Sequence, residues 1–335
     1  MKVDVTAEQA LDPELAVDAE KRGYDAVWFG ETSHDPMVSI AIASRATSRV
    51  MLGTGVTIAL ARSPMTLAVT ANDLQLVSQG RLMLGLGSQV KAHITRRFSM
   101  PWTQPVGQMR EFVLAMRAIW RSWHEGEPLD FQGDHYSHTL MTPFFNPGPN
   151  PFGPPPVLLA GVGAKMTGLA GEVADGFMCH GFATERYLRE VVVPNLRAGR
   201  EKAGRDLDGF EISGLPFVVT GSNEEQMAAS AAGVRDQIAF YAATPAYRGV
   251  LELHGWGDLQ GELNAMTKAG RWKEMGSLID DEVLNTFAVV AEPDRVAEEV
   301  LRRFRGVFTR LHLYLKAELD ADVLAGIREQ IQAGA

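Results

Sequence analysis

A chain of 335 residues, 46% of them hydrophobic, can build one large α/β barrel or two ordinary domains. Its net charge of −9 denies it the basic footprint with which proteins displace counterions from nucleic acid, so any anionic ligand must be held by local geometry. One cysteine, Cys179, excludes a disulfide framework and a multi-thiolate metal site. No apolar run reaches the roughly 18 residues of a membrane span and no signal-peptide pattern is present, so the sequence reads as a cytoplasmic protein.

Strand-like runs alternate with helical periodicity almost from end to end, the mark of βα units stacked around a parallel sheet. Residues 2–6 read as strand one, followed by a helix that Asp12 caps, Pro13 opens and Gly23 ends. Strand two is 26–30 with a helix over 36–47, strand three is 50–60 with a helix over 64–77, and strand four is 82–86. A helix over about 106–123 and a hairpin within 129–137, turning at Gly133-Asp134, come next. The proline- and glycine-rich stretch 146–156 is either an interdomain linker or a stiff surface loop, and eight βα units counted straight through it favour the loop. Strands five to eight fall at 157–159, 176–179, 211–220 and 309–315, with helices over 165–172, over 184–203, from Glu224 and from Asp320. The expected architecture is a single (β/α)8 TIM barrel over 1–335, with insertions after strands four and seven, the second over 243–276.

In such a barrel the active site lies at the C-terminal strand ends. Strand three opens into Gly53-Thr54-Gly55 and strand four into Gly85-Leu86-Gly87-Ser88, and glycine in a strand marks a bulge or a close backbone approach. Two neighbouring strands of this kind suggest a flat ligand across both ends. After strand two, Glu31, Thr32, Ser33 and His34 are either a proton relay or a cap for the next helix beside a solvated histidine. After strand five, Gly161-Val162-Gly163-Ala164 enters a helix whose free N–H groups can hold a phosphate; the alternative is a plain tight turn. Lys91, His93, Arg96 and Arg97 follow strand four and, with Arg62, gather positive charge near the mouth. His180 follows strand six as a ligand contact or a packed histidine. His124, His135, His138, His254 and His312 have no partner at metal spacing, which implies no metal site, and no GxSxG elbow is present.

With these residues in place, the chain resembles the luciferase-like superfamily, in its branch of coenzyme F420-dependent oxidoreductases. The resemblance runs through Gly23-Tyr24-Asp25-Ala26-Val27-Trp28, Leu52-Gly53-Thr54-Gly55-Val56-Thr57, Arg81 to Ser88, Ala160-Gly161-Val162-Gly163 and Ala174-Asp175-Gly176-Phe177. It implies a dimeric barrel with the cofactor ring against Gly55, Val56, Thr57, Gly87 and Ser88, and a non-prolyl cis peptide between Gly55 and Val56. The phosphate would lie at Gly161, Val162, Gly163 and Ala164 near His180. The resemblance carries the carboxylate over to Glu31 but not the imidazole; on the chain's own residues Glu31 and His34 would form the proton relay and His93 would touch ring or substrate, the cofactor being F420 or, alternatively, FMN. Sugar- and alcohol-oxidising relatives carry Asp-His directly after strand two where this chain has Glu31-Thr32. Reduction of an activated C=C, C=N or carbonyl group therefore fits at least as well as alcohol oxidation. A monooxygenase using FMN and a flavin-binding barrel without turnover are the rival readings. The helices from Pro36 and Pro64 offer a homodimer face through Met37, Ile40, Ser44, Ala41, Ala68 and Ala71.

Overall fold

The computed structural model describes residues 1–7, 11–316 and 318–334. Eight parallel strand positions close into a barrel: Lys2–Val3 continuing as Val5–Ala7, Ala26–Phe29, Met51–Thr54 continuing as Thr57–Ile58, Leu82–Gly87, Val157–Gly161, Gly176–Cys179, Glu211–Gly214 continuing as Phe217–Val219, and Arg310–Leu311 continuing as Tyr314–Leu315. The ring closes on strand one, whose first half pairs with strand eight and whose second half pairs with strand two. Strand three is shorter and more broken than 50–60, and its two halves meet at Gly55–Val56, whose peptide bond is cis. No helix is long and apolar enough to cross a membrane among the described residues.

Helix ends follow local chemistry. The Asp12 carboxylate accepts the Glu14 N–H (2.9 Å) before the helix Glu14–Lys21, and Ser63 accepts the Thr66 N–H (3.1 Å) before Pro64–Val77. The helix Pro36–Ala46 is capped by Asp35, which accepts the Met37 N–H (2.9 Å), so neither Glu31 nor Ser33 serves as its cap. Asn150 donates to the Asn72 carbonyl (3.0 Å), and the Pro156 carbonyl accepts the Leu84 N–H, so the stretch 146–156 runs over the barrel as a loop into strand five.

Period-two alternation sends Trp28, Met83, Leu158 and Met178 into the barrel, where they pack together. Beside them lies a buried ion pair. Arg310 donates from Nε and Nη2 to Asp4 (2.7 and 3.0 Å), and the Trp28 indole N–H donates to the same carboxylate (2.8 Å). The glycines at 53 and 85 serve this interior: a Cβ on Gly53 would stand 2.3 Å from the Trp28 ring, and one on Gly85 would stand 1.9 Å from the Thr54 carbonyl oxygen and 2.6 Å from Met178 Sδ. Their absent side chains make room for protein rather than ligand.

Two assignments from sequence change. Residues 288–290 form an additional strand, Ala288–Val290, parallel to Phe217–Val219. The helix Glu224–Ala242 buries Val234, Ile238 and Ala239 in a second apolar core with residues 250–288, whereas Pro293–Phe304 buries Val296, Ala297, Val300 and Phe304 in the core shared with the barrel. The later helix therefore occupies the seventh βα position, and the insertion after strand seven begins at Glu224 instead of 243. Met37, Ile40, Ser44, Ala68 and Ala71 are buried against their own barrel, so they cannot meet a second copy; Val38, Ile42, Val69, Leu76 and Val77 are the large apolar residues exposed on the same two helices.

Candidate active site

The loop after strand two is tied to the second half of strand three. Glu31 accepts the Ile58 N–H (2.8 Å) and takes Arg62 Nη1 on both oxygens (2.7 and 2.9 Å), while Arg62 Nη2 reaches Asp35 (2.9 Å). Neither Glu31 nor Arg62 is free. The carboxylate expected to relay protons holds the segment after the cis bond in place, and the arginine expected to meet a ligand anion is neutralised by two carboxylates. Arg97 donates to the Thr32 carbonyl, drawing the same loop toward strand four. His34 is exposed at its tip. Because the Glu31 pair is mostly shielded from water, Glu31→Gln, which keeps an acceptor but removes the charge, is expected to cost about 1–2 kcal/mol of stability. Chemical denaturation of both proteins at pH 7 checks this, and an unchanged midpoint would refute the clamp.

Gly30, Gly55 and Gly87 follow Trp28, Gly53 and Gly85 by two residues and so face the mouth above the filled interior. A Cβ on Gly87 would meet Val56 Cγ2 at 2.7 Å, and Met178 Cε lies 3.6 Å from the Cβ position of Gly55. Val56 and Met178 thus rest on glycine and form a shelf without a rising side chain. Thr57 is buried with its hydroxyl unpartnered among the described residues. Ser88 donates to the Gln89 carbonyl (3.2 Å), and Gln89 has a positive φ of 59°. His93 lies exposed on the short helix Lys91–Arg96 beside Lys91 and Arg96.

Strand five ends in Gly161-Val162-Gly163, and Gly163, at φ +77°, starts the helix Ala164–Val173 with no side-chain cap. Its first N–H groups are therefore open to an anion. A Cβ on Gly163 would meet nothing within 4 Å; it would project into open space. A shallow recess, open to solvent, is lined here by Gly161, Gly163, Thr167, Tyr187, Tyr247 and Val250. This cradle fits a phosphate, and the neighbouring shelf fits a flat ring, so the chain's residues suit a phosphorylated flavin-type cofactor.

His180 borders the recess. The Phe182 N–H donates to its Nδ1 (3.0 Å), which leaves the ring proton on Nε2, and burial pushes its pKa down to about 4. Tyr247 stacks on it at 4.7 Å and Tyr241 meets it edge-on at 4.6 Å. Beside it, burial pushes the Cys179 thiol up to about 12, so the one cysteine is no nucleophile. Glu31, Gly55, Val56 and Thr57 are thus brought together with Gly87, and Gly161 to Ala164 with His180, while His34 and His93 stay at the rim.

Sequence reasoning passed over Met178, Tyr241, Tyr247 and His312. Met178 looked like an ordinary strand residue, and the two tyrosines reach the mouth only through the fold of the insertion. For His312 a signal existed: it stands two residues after Arg310 in a strand, on the inward parity.

Residues 7–310 match the luciferase-like monooxygenase family. An uncharacterized protein of Mycobacterium tuberculosis is 49% identical over 298 residues, covering 89% of this chain and 88% of that protein. A 5,10-methylenetetrahydromethanopterin reductase of Archaeoglobus fulgidus is 27% identical over 289 residues, covering 84% and 82%. Two further relatives, 26% and 29% identical, carry the names of a putative coenzyme F420-dependent oxidoreductase and an F420-dependent glucose-6-phosphate dehydrogenase. In three dimensions the chain superposes on the coenzyme F420-dependent tetrahydromethanopterin reductase of Methanopyrus kandleri with a TM-score of 0.79 at 18% identity, over 99% of this chain and 98% of that one. The match through nearly the whole barrel makes this chain a member of the luciferase-like family.

Proposed function

We propose that the protein is an F420-dependent oxidoreductase that moves a hydride between the deazaflavin and a small organic substrate. The single observation that carries this is the pairing of the strand-three and strand-four shelf with the uncapped helix start at Gly163, one for a ring and the other for its phosphate. Relatives named for F420 support the choice of cofactor. Bound there, the cofactor supplies hydride chemistry at its C5. The chain's own residues orient and shield it. Gly161, Val162, Gly163 and Ala164 hold the phosphate; Gly55, Val56, Thr57, Gly87 and Ser88 seat the ring; Glu31 and Arg62 fix the shelf. His34, exposed at the rim, serves the proton relay, and His93 contacts ring or substrate. The same proposal includes a homodimer through Val38, Ile42, Val69 and Leu76.

The rim separates F420 from FMN. Lys91 and Arg96 lie exposed on one short helix, and no ion pair engages them among the described residues. They would meet the acidic tail that F420 carries and FMN lacks where it leaves the mouth. F420 is expected to bind at least tenfold more tightly than FMN at low salt, about 1.4 kcal/mol, with the preference shrinking as salt rises. Fluorescence titration of the apoprotein with each cofactor measures it. Equal affinities, or tighter FMN binding with oxygen uptake, would replace this reading with the monooxygenase one.

A further inference from the structure

The mouth has two unlike sides. Strands three to five offer glycine and open N–H groups; His180 and Tyr247 border the recess at Gly163, and beyond them Tyr241 and Tyr314, set against the buried Phe217, carry an aromatic side on to strand eight. His180 touches Tyr241 and Tyr247, Tyr241 stacks toward Phe217 at 6.3 Å, and Phe217 meets Tyr314 edge-on at 5.2 Å. The Tyr314 hydroxyl donates to Gln237, which turns its polar end away from this wall. Arg186 is engaged by Glu190 and the Leu253 carbonyl and Arg248 by Glu252, while Lys316 lies over the Tyr314 ring itself.

His312 belongs to the wall. Along strand eight Arg310 points into the barrel, Leu311, Leu313 and Leu315 pack into the outer core, and Tyr314 faces Phe217, so His312 points inward between Arg310 and Tyr314. Its backbone N–H is fixed on the Gly214 carbonyl (3.1 Å). Its Nδ1 is buried without a partner, and an N–H there would be an uncompensated buried donor. The tautomer with its proton on Nε2 presents that proton at the nitrogen that is not buried and has no hydrogen-bond partner among the described residues, where a ligand can take it. Burial holds the ring neutral, with a pKa of about 4. The result is a fixed, uncharged donor across the mouth from the shelf.

We propose that this wall binds an uncharged, apolar, planar carbonyl compound, with His312 Nε2–H donating to the carbonyl oxygen. The inference deepens the oxidoreductase reading and rests on it for placing substrate opposite the ring. Arg310 of strand eight is committed to Asp4, so among the described residues a carboxylate or phosphate beside His312 would meet only Lys316, which lies over the Tyr314 ring, and would lose its hydration against aromatic carbon. A carbonyl oxygen needs one donor and meets one. A neutral imidazole is suited to that part, since it polarises an oxygen without placing a full charge in an apolar site.

Acetophenone, ethylbenzene and benzoate serve as probes, titrated into the full chain with and without F420. The imidazole nitrogens are followed by NMR in ¹⁵N-histidine-labelled protein. Acetophenone is expected to shift one Nε2–H resonance that is absent from His312→Phe. That variant is expected to bind acetophenone five- to tenfold more weakly and ethylbenzene unchanged, and His312→Gln, which keeps a donor, to recover most of the loss. Benzoate is expected to bind at least tenfold more weakly than acetophenone. Unchanged acetophenone affinity in a folded His312→Phe, benzoate binding as tight as acetophenone, or no acetophenone binding at millimolar concentration would each overturn the proposal. Failure of the cofactor reading would appear separately, as loss of F420 binding with the probe results intact.

Discussion

Replacing Asp4 with alanine is expected to destabilise the barrel by about 3–5 kcal/mol, the largest effect of any single substitution considered, because it strands a buried cation. Arg310 is 1% exposed and Asp4 is 2% exposed. Without the carboxylate, Arg310 Nε and Nη2 lose their acceptor, Nη1 keeps only Met83 Sδ at 3.1 Å, and the nearest remaining anion, Glu211, lies 3.8 Å away. The Trp28 indole N–H is orphaned in the same step. The double variant Asp4→Ala with Arg310→Met tests the cause. Removing both charges leaves no ion to desolvate, so the double variant is expected to be more stable than Asp4→Ala alone. Denaturant unfolding followed by tryptophan fluorescence reads both. A loss under 1 kcal/mol in the single variant would mean that water reaches Arg310.

Why an ion pair should plug this barrel is also why parts of the fold escaped the sequence. The strands were legible because Ala26–Phe29 and Leu82–Gly87 are apolar throughout, as strands buried on both faces are, and because capping residues mark the helices between them. Asp4 and Arg310 stand 306 residues apart, and nothing local joins them. The glycines show the opposite error. They were noticed for the right reason, close approach, but the approaching group at 53 and 85 is Trp28, Met178 or a neighbouring strand's carbonyl, and only the next glycines up face the mouth. Strand Ala288–Val290 was missed because three residues between two helices carry no periodicity of their own; its pairing with Phe217–Val219 makes it a strand. Glu31 was legible as a residue at the end of strand two, but its ion pair with Arg62 crosses 31 residues, so its role was open until the fold brought them together.

Stability is expected to fall as the pH drops from about 6.5 to 4, through the two mouth histidines. His180 and His312 are both pushed down to about 4 by burial, against about 6.5 in an unfolded chain. Between those values the unfolded chain binds more protons than the folded one, so the contribution is complete above about pH 6.5 and disappears toward pH 4. A difference of about 2.5 units corresponds to at most about 3 kcal/mol per imidazole, reduced by the partial exposure of both rings. His138 and His254 act in the same direction, each lowered chiefly by burial. The carboxylate of Glu20 belongs to a different window. Burial raises it, but the N–H groups of Val50, Arg49 and Ser48 hold it at about 2, so its contribution is lost only as pH falls below about 4.5. The loss between pH 6.5 and 4.5 is therefore an imidazole signature. Denaturation midpoints at pH 7.5, 6.5, 5.5 and 4.5 should decline across the middle interval in the native chain and decline less in His312→Phe, whose ring cannot charge. A flat midpoint down to pH 4.5 would show that both imidazoles protonate in place without cost, and would contradict the dry, neutral wall on which they sit.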